Sequence, residues 1–131
     1  MVENIMSECT LETKWVDNVF EIDIVGRLTY DNIPNLKELV QNRIVESQKY
    51  MINLSRTSQI DSTGLGLLIT ITKYYLCEES RVVIINTNPL IRELFSISKL
   101  YSYFAVTETV GEAVNLLEDY DNEVWENLLG V

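Results

Sequence analysis

The 131-residue chain contains no histidine. That excludes a Ser-His-Asp or Cys-His catalytic group and any histidine-ligated metal. Cysteine is nearly absent as well. Cys9 and Cys77 stand far apart with no metal-type spacing, so both are expected as reduced thiols, Cys77 buried in a helix. Basic residues are scarce: 10 Lys and Arg face 20 Asp and Glu, for a formal net charge of −10. An acidic surface repels phosphate backbones and anionic lipid, which argues against nucleic-acid and membrane-surface binding. It suits a basic protein partner, or simply a soluble chain. No long apolar run is present. The longest, Leu65 to Ile71, is too short to span a bilayer. The opening Met-Val-Glu-Asn has neither a basic region nor an apolar core, so no signal peptide is expected and the expected location is cytoplasmic. No internal repeat, linker or low-complexity tract interrupts the chain.

What remains is a chain of one-domain length whose hydrophobic content, 47%, can bury a real core. Phe20, Ile22 and Ile24 alternate with Glu21 and Asp23, the period of a half-buried strand. Leu11 to Trp15 pairs with it across an Asp17-Asn18 turn. Asp31 or Asn32 then caps a helix with Pro34 in its first turn and Ile33, Leu36, Val40 and Ile44 on its buried stripe. Tyr50 to Leu54 is a short strand, and Thr63 to about Cys77 a helix. Arg81 to Asn86 is a fully buried central strand. Asn88-Pro89 opens a helix with Ile91, Leu94 and Phe95 inside. Tyr103 to Val106 is a strand, and Thr109 with Glu112 has capping-box spacing for a last helix. Strands alternating with helices predict an α/β fold with a mixed, mostly parallel central sheet and about four helices. The domain core spans about 11–117. Residues 118–131 form a C-terminal extension with Val124, Trp125, Leu128 and Leu129 at helical spacing. Its expected state is a last helix packed on the domain; a self-association or docking helix is the alternative.

The densest local signal is Ile60-Asp61-Ser62-Thr63-Gly64-Leu65-Gly66, where a short strand ends and an apolar helix begins. A helix start offers unpaired N–H groups and a partial positive charge, so Ser62 is a favourable place for a phosphate. Ordinary N-capping by Asp-Ser-Thr explains the same residues. The glycines lack the third member of a dinucleotide fingerprint and the Lys-Ser/Thr of a P-loop, so a nucleotide-binding module has little support. The helix that follows is apolar on two sides. Leu65, Leu68, Ile69, Thr72 and Leu76 fall on one, and Leu67, Ile71 and Tyr74 on nearly the opposite one. The second stripe is either buried too or exposed to a partner, and small domains favour the exposed reading. The acidic run Asp119-Tyr120-Asp121-Asn122-Glu123 places Val124 where a calcium loop needs glycine, so calcium is discounted. No cofactor is expected.

Asp61-Ser62-Thr63-Gly64-Leu65-Gly66, after a strand and opening an apolar helix, resembles the signature of STAS domains, and most closely that of the bacterial anti-sigma factor antagonists. Gly26-Arg27-Leu28-Thr29 resembles the family's Gly-x-Leu-Asp segment. Asn86 to Phe95 resembles its loop leading into a proline-headed helix, and Leu11 to Leu117 follows the family's order of elements. The resemblance implies a single STAS-like domain that catalyses nothing. It implies phosphorylation of Ser62 by an anti-sigma factor that is also a Ser/Thr kinase. The unphosphorylated form would bind that kinase and free its sigma factor, and a metal-dependent Ser/Thr phosphatase would reset the phosphorylated form. Thr63 is a second, lesser acceptor. The partner surface would comprise Asp61, Thr63, Gly64, Leu65, Leu67, Ile71, Tyr74, Thr29 and Asp31. Three departures stand out: Thr29 occupies the aspartate position, with Asp31 as a partial substitute; Lys99 replaces a frequent glycine; and the tail is long. The other function implied by the family is a non-switching STAS scaffold or transport-accessory subunit, with Ser62 only a cap. Small size and a charged surface favour a monomer.

Overall fold

The computed structural model describes residues 8–119. Its first two strands, β1 (Cys9–Val16) and β2 (Val19–Leu28), form an antiparallel hairpin in register from Cys9↔Gly26 to Val16↔Val19. Asp17 turns the corner at φ 53, a conformation that aspartate tolerates better than most residues. Alternation along β2 sends Phe20, Ile22 and Ile24 to one side of the sheet and Val19, Glu21 and Asp23 to the other.

The remaining elements are α1 (Ile33–Arg43), β3 (Lys49–Asn53), β4 (Thr57–Ile60), α2 (Ser62–Thr70), β5 (Arg81–Ile85), α3 (Pro89–Ile97), β6 (Ala105–Thr107) and α4 (Val110–Asp119). The strands form one mixed sheet in the order β1-β2-β3-β5-β6. Every pairing except the opening hairpin is parallel. β2 is long enough to serve two neighbours. β3 pairs with Phe20 to Asp23, and β4 pairs with Gly26 to Leu28 beyond an irregularity at Gly26/Arg27. Gly26 takes φ 107 there, and a Cβ would lie 2.2 Å from the Glu8 carbonyl oxygen, so only glycine fits.

Two clusters make the core. On one face Leu11, Ile22, Ile24, Tyr50, Ile52 and Ile84 meet Leu36 and Val40 of α1, Leu65, Leu67 and Leu68 of α2, and Ile91 and Phe95 of α3. On the other, Val19, Met51, Val83 and Ile85 meet Ala113 and Leu117 of α4. Burial raises the Cys9 thiol to about 11 and so keeps it protonated and unreactive.

Several boundaries differ from the sequence expectation. The α1 cap is made by neither predicted side chain. A 3₁₀ turn over Tyr30–Asn32 precedes the helix, the Asn32 amide donates to the Arg27 carbonyl, and the Asp31 carboxylate accepts from Thr29. Local side-chain bonds to the preceding loop outcompete capping here. The sequence marks a strand end at Ile60 but not the extent of β4, because four polar-rich residues carry no visible period. The sixth strand begins at Ala105, since Leu100–Ser102 forms a 3₁₀ turn. α2 runs on as a π turn over Ile71–Tyr75, with Leu76 N–H bonded to the Ile71 carbonyl, and stops short of Cys77, which is half-buried. In β5, Val83 to Ile85 are buried while Arg81 and Val82 are half-buried. Lys99 adopts φ 59 after α3, a left-handed conformation that costs a non-glycine residue roughly 1–2 kcal/mol. Val124, Trp125, Leu128 and Leu129 lie outside the described residues.

The glycines of α2 yield a paired prediction. A Cβ on Gly64 would sit 2.1 Å from the Leu28 carbonyl oxygen, whereas one on Gly66 meets nothing within 4 Å. Gly66→Ala is expected to stabilise the domain by about 0.5–1 kcal/mol by removing helix-interior glycine. Gly64→Ala is expected to destabilise it by about 1–3 kcal/mol through overpacking. Urea unfolding of the two variants beside the parent chain checks both signs.

Candidate functional site

The site forms where α2 begins against the end of β2. Residues 62–70 form a helix because Asp61 supplies the cap and a run of leucines supplies the buried face. Asp61 has extended backbone, φ −116 and ψ −177, and its carboxylate Oδ1 accepts from Gly64 N–H at 2.9 Å. The same oxygen accepts from the Thr63 hydroxyl at 2.5 Å. Oδ2 accepts from Tyr30 N–H at 2.9 Å, and Asp61 N–H donates to the Leu28 carbonyl at 3.3 Å. One carboxylate therefore caps α2 and ties it to the loop after β2.

These bonds set the ionisation of Asp61. Partial burial raises its pKa, but hydrogen bonds from Thr63, Gly64 and Tyr30 outweigh burial and hold the carboxyl below its ordinary value of 3.8. Across the loop, the buried Thr29 donates its hydroxyl to Asp31 Oδ1 at 2.6 Å. That bond is the main cause that lowers the Asp31 carboxyl, and the nearby Asp61 charge opposes it. Two ionised carboxylates thus stand near the start of α2.

Ser62 occupies the first turn of α2 and is exposed. Its hydroxyl makes no hydrogen bond among the described residues. Thr63 is exposed too, but its hydroxyl is spent on Asp61. The adjacent hydroxyls are therefore not equivalent. A phosphate on Ser62 would meet the positive end of α2, but it would also meet Asp61 and Asp31.

The structure brings together Asp61, Ser62, Thr63, Gly64, Thr29 and Asp31. Leu65 is nearby but buried. The expected second, exposed stripe on α2 is absent. Leu67 and Ile71 belong to the core, at 3% and 0% exposure, and only Tyr74, at 76%, faces solvent. The reason is topological: α1, α2 and α3 share one face of the sheet, so α2 has apolar neighbours on more than one side. Tyr74 stands on the π turn, at the opposite end of the helix from Ser62. The sequence reading missed Tyr30, which is 73% exposed and bonded through its N–H to Asp61. Its only sequence signal is its place between Thr29 and Asp31.

Among the described residues, no group of three or more Cys, Asp or Glu side chains is arranged to hold a metal ion. No described helix is long and apolar enough to cross a membrane.

Comparison with known proteins turns this geometry into a family assignment. The family model described as STAS domain matches residues 10–113. The chain belongs to the STAS domain family. An anti-sigma-B factor antagonist of Staphylococcus epidermidis is 31% identical over 99 residues, covering 75% of this chain and 92% of that protein. The crystal structure of an anti-sigma factor antagonist from Mycobacterium paratuberculosis superposes with a TM-score of 0.77 at 20% identity, over 85% of this chain and 95% of that one. The Bacillus cell fate determinant SpoIIAA in its phosphorylated form gives 0.55 at 20% identity, over 83% and 100%. These likenesses match the mixed sheet and its helices described above. In this STAS domain the start of α2 lies inside the matched segment, and so does the Thr29–Asp31 loop.

The Asp61 bonds predict how stability depends on acid. A carboxyl whose folded pKa is lowered adds stability above its unfolded pKa and loses it as pH falls through the folded value. Asp61→Asn is therefore expected to flatten the acid arm of a stability-against-pH curve. Asp61→Ala at neutral pH is expected to cost about 0.5–2 kcal/mol, the range for a lost N-cap. Urea unfolding of parent and variants from pH 7 down to pH 3 reads both; an unchanged acid arm in Asp61→Asn removes Asp61 from the account.

Proposed function

We propose that this STAS protein is an anti-sigma factor antagonist, a switch controlled by phosphorylation of Ser62. The observation that carries the reading is the contrast at the start of α2: Ser62 has an exposed hydroxyl with no hydrogen bond among the described residues, while the Thr63 hydroxyl is held by Asp61. Two relatives agree with it. The Staphylococcus epidermidis protein is named for antagonism of an anti-sigma factor, and SpoIIAA has been solved in a phosphorylated form.

In this reading the unphosphorylated chain binds an anti-sigma factor with Ser/Thr kinase activity, and the bound sigma factor is released. The contact surface comprises Ser62, Asp61, Thr63, Tyr30 and Asp31, with Tyr74 at the far end of α2. Gly64, Leu65, Leu67, Ile71 and Thr29 support that surface from below. The protein performs no chemistry itself, since Ser62 is substrate and Asp61 is committed to its cap. Phosphorylation adds about −1.5 to −2 charges beside Asp61 and Asp31. It leaves the core untouched, so its effect is read at the surface through charge, bulk and desolvation. A coupling of about 1–3 kcal/mol, roughly 5–150-fold in affinity, suffices for a switch. A metal-dependent Ser/Thr phosphatase resets it. The setting is cytoplasmic. Thr29 in place of an aspartate favours the other reading, a non-switching STAS scaffold or transport-accessory subunit. Against that stands Asp31, whose exposed carboxylate is oriented by the Thr29 hydroxyl.

The test uses the full chain with Mg-ATP and its candidate anti-sigma kinase, followed by phosphosite mapping and binding titration. The expected result is a single phosphate on Ser62, none in Ser62→Ala, and kinase binding at least fivefold weaker for the phosphorylated chain. A phosphate on Thr63 alone, equal binding by both forms, or no phosphate with a kinase that modifies a control antagonist would transfer the assignment to the scaffold reading.

A further inference from the structure

The hairpin that opens the fold leaves β1 at the edge of the sheet. We infer that this edge is a self-association surface, on which a second copy of the chain pairs antiparallel through β1 about a two-fold axis at Thr13. The inference is independent of the proposed switch, because it involves neither Ser62 nor the start of α2.

The hairpin itself decides which backbone groups are available. Val16 and Val19 flank a two-residue loop and so bond to each other, which turns the N–H and C=O of Val16, Lys14, Glu12 and Thr10 toward β2. The groups of Leu11, Thr13 and Trp15 therefore point outward. One contact confirms this parity: the Leu11 carbonyl accepts from Arg43 Nη1 at the end of α1, on the side away from β2. A carbonyl has a second lone pair, so Leu11 can still take a strand partner. Among the described residues no strand pairs with this edge.

An eight-residue edge strand with open N–H and C=O groups is a template for another strand, and natural proteins commonly block such edges. Its blocks are Lys14 and the Arg43 side chain on the Leu11 carbonyl, which a second strand would have to accommodate. The edge has no proline, and its charges alternate rather than repel. Outward-pointing residues must oppose outward-pointing residues, so only registers centred on Glu12, Thr13 or Lys14 keep the middle of β1 paired. Centring on Glu12 sets glutamate against glutamate, and centring on Lys14 sets lysine against lysine. Centring on Thr13 sets Glu12 against the second copy's Lys14 twice, by symmetry, and Leu11 against its Trp15. Opposite charges across a strand pair stabilise it, and like charges destabilise it.

The surroundings agree with that register. Trp15 is 53% exposed although it stacks edge-on against Phe20 at 5.1 Å, so half of a large ring awaits cover. The Lys14 side chain, 3.6 Å from Glu21, is 68% exposed. Glu12 pairs with Arg56, and Arg56 also holds Asp23 at 2.5 Å. Closing the edge about Thr13 would extend these pairs into one row across both copies: Glu21, Lys14, then the second copy's Glu12, Arg56 and Asp23. Every neighbour in that row has the opposite sign.

The test exploits the register. Glu12→Lys places Lys against Lys in a homodimer, and Lys14→Glu places Glu against Glu. A one-to-one mixture of the two restores opposite charges at every position. Thr13→Pro removes an outward N–H without touching the β1–β2 ladder, so it should fold and not pair. Light scattering after gel filtration reads the mass, with circular dichroism as the check on folding. The parent chain is expected at twice 15.1 kDa at high concentration. Each single variant is expected at the monomer mass, and the mixture of the two charge variants at the dimer mass again. A parent chain that stays monomeric to the solubility limit overturns the proposal. So does a dimer that survives Thr13→Pro, or a mixture of folded charge variants that stays monomeric.

Discussion

The close passage of α2 over the end of β2 organises this molecule. Gly64 leaves no room for a side chain against the Leu28 carbonyl, and that proximity lets the backbone of Asp61 bond to Leu28 and its carboxylate to Tyr30. Remove the close approach and three things separate: the helix start, the loop after β2, and the acidic pair at Asp31 and Asp61. Leu65, Leu67, Leu68 and Ile71 then fix the rest of the helix in the core. The start of α2 is polar and exposed while its body is apolar and buried. In the proposed switch, a phosphate on Ser62 would therefore reach a partner without passing through the packing that holds the fold.

Most of the architecture was legible in the sequence because its signals are local. Alternation in Phe20 to Ile24, the Asn88-Pro89 cap and the Thr109–Glu112 pair each specify an element from a handful of residues. The structure realises the last two as side-chain bonds to Leu90 N–H and Glu112 N–H. What was not legible depends on distant neighbours. Whether Leu67 and Ile71 face solvent or core is decided by where α1 and α3 pack, which no spacing within α2 records. Strand β4 exists because β2 overruns β3 and offers a free edge, a property of β2 and not of Thr57–Ile60. Asn32 had every qualification for a cap, yet its amide serves the Arg27 carbonyl instead.

The candidate site shows the same division. Asp61, Ser62 and Gly64 were recognisable from their order alone. Tyr30 was not, because what joins it to the site is a backbone N–H, and every residue but proline has one. Thr29 and Asp31 were linked in the sequence only as a replaced aspartate and its partial substitute; the structure joins them by a bond, with the buried hydroxyl steering the exposed carboxylate.

The committed hydroxyl of Thr63 has a consequence of its own. Serine and threonine stand side by side in the chain, and to an enzyme that recognises an extended peptide they are neighbouring candidates. In the folded domain one is presented and the other is tethered. Under the proposed switch, discrimination between them would be stored in the domain's own conformation, and a kinase could be permissive about sequence while the product stayed uniform. Unfolding would erase that information along with the fold, so in the proposed switch fidelity of modification and integrity of the domain would be inherited together.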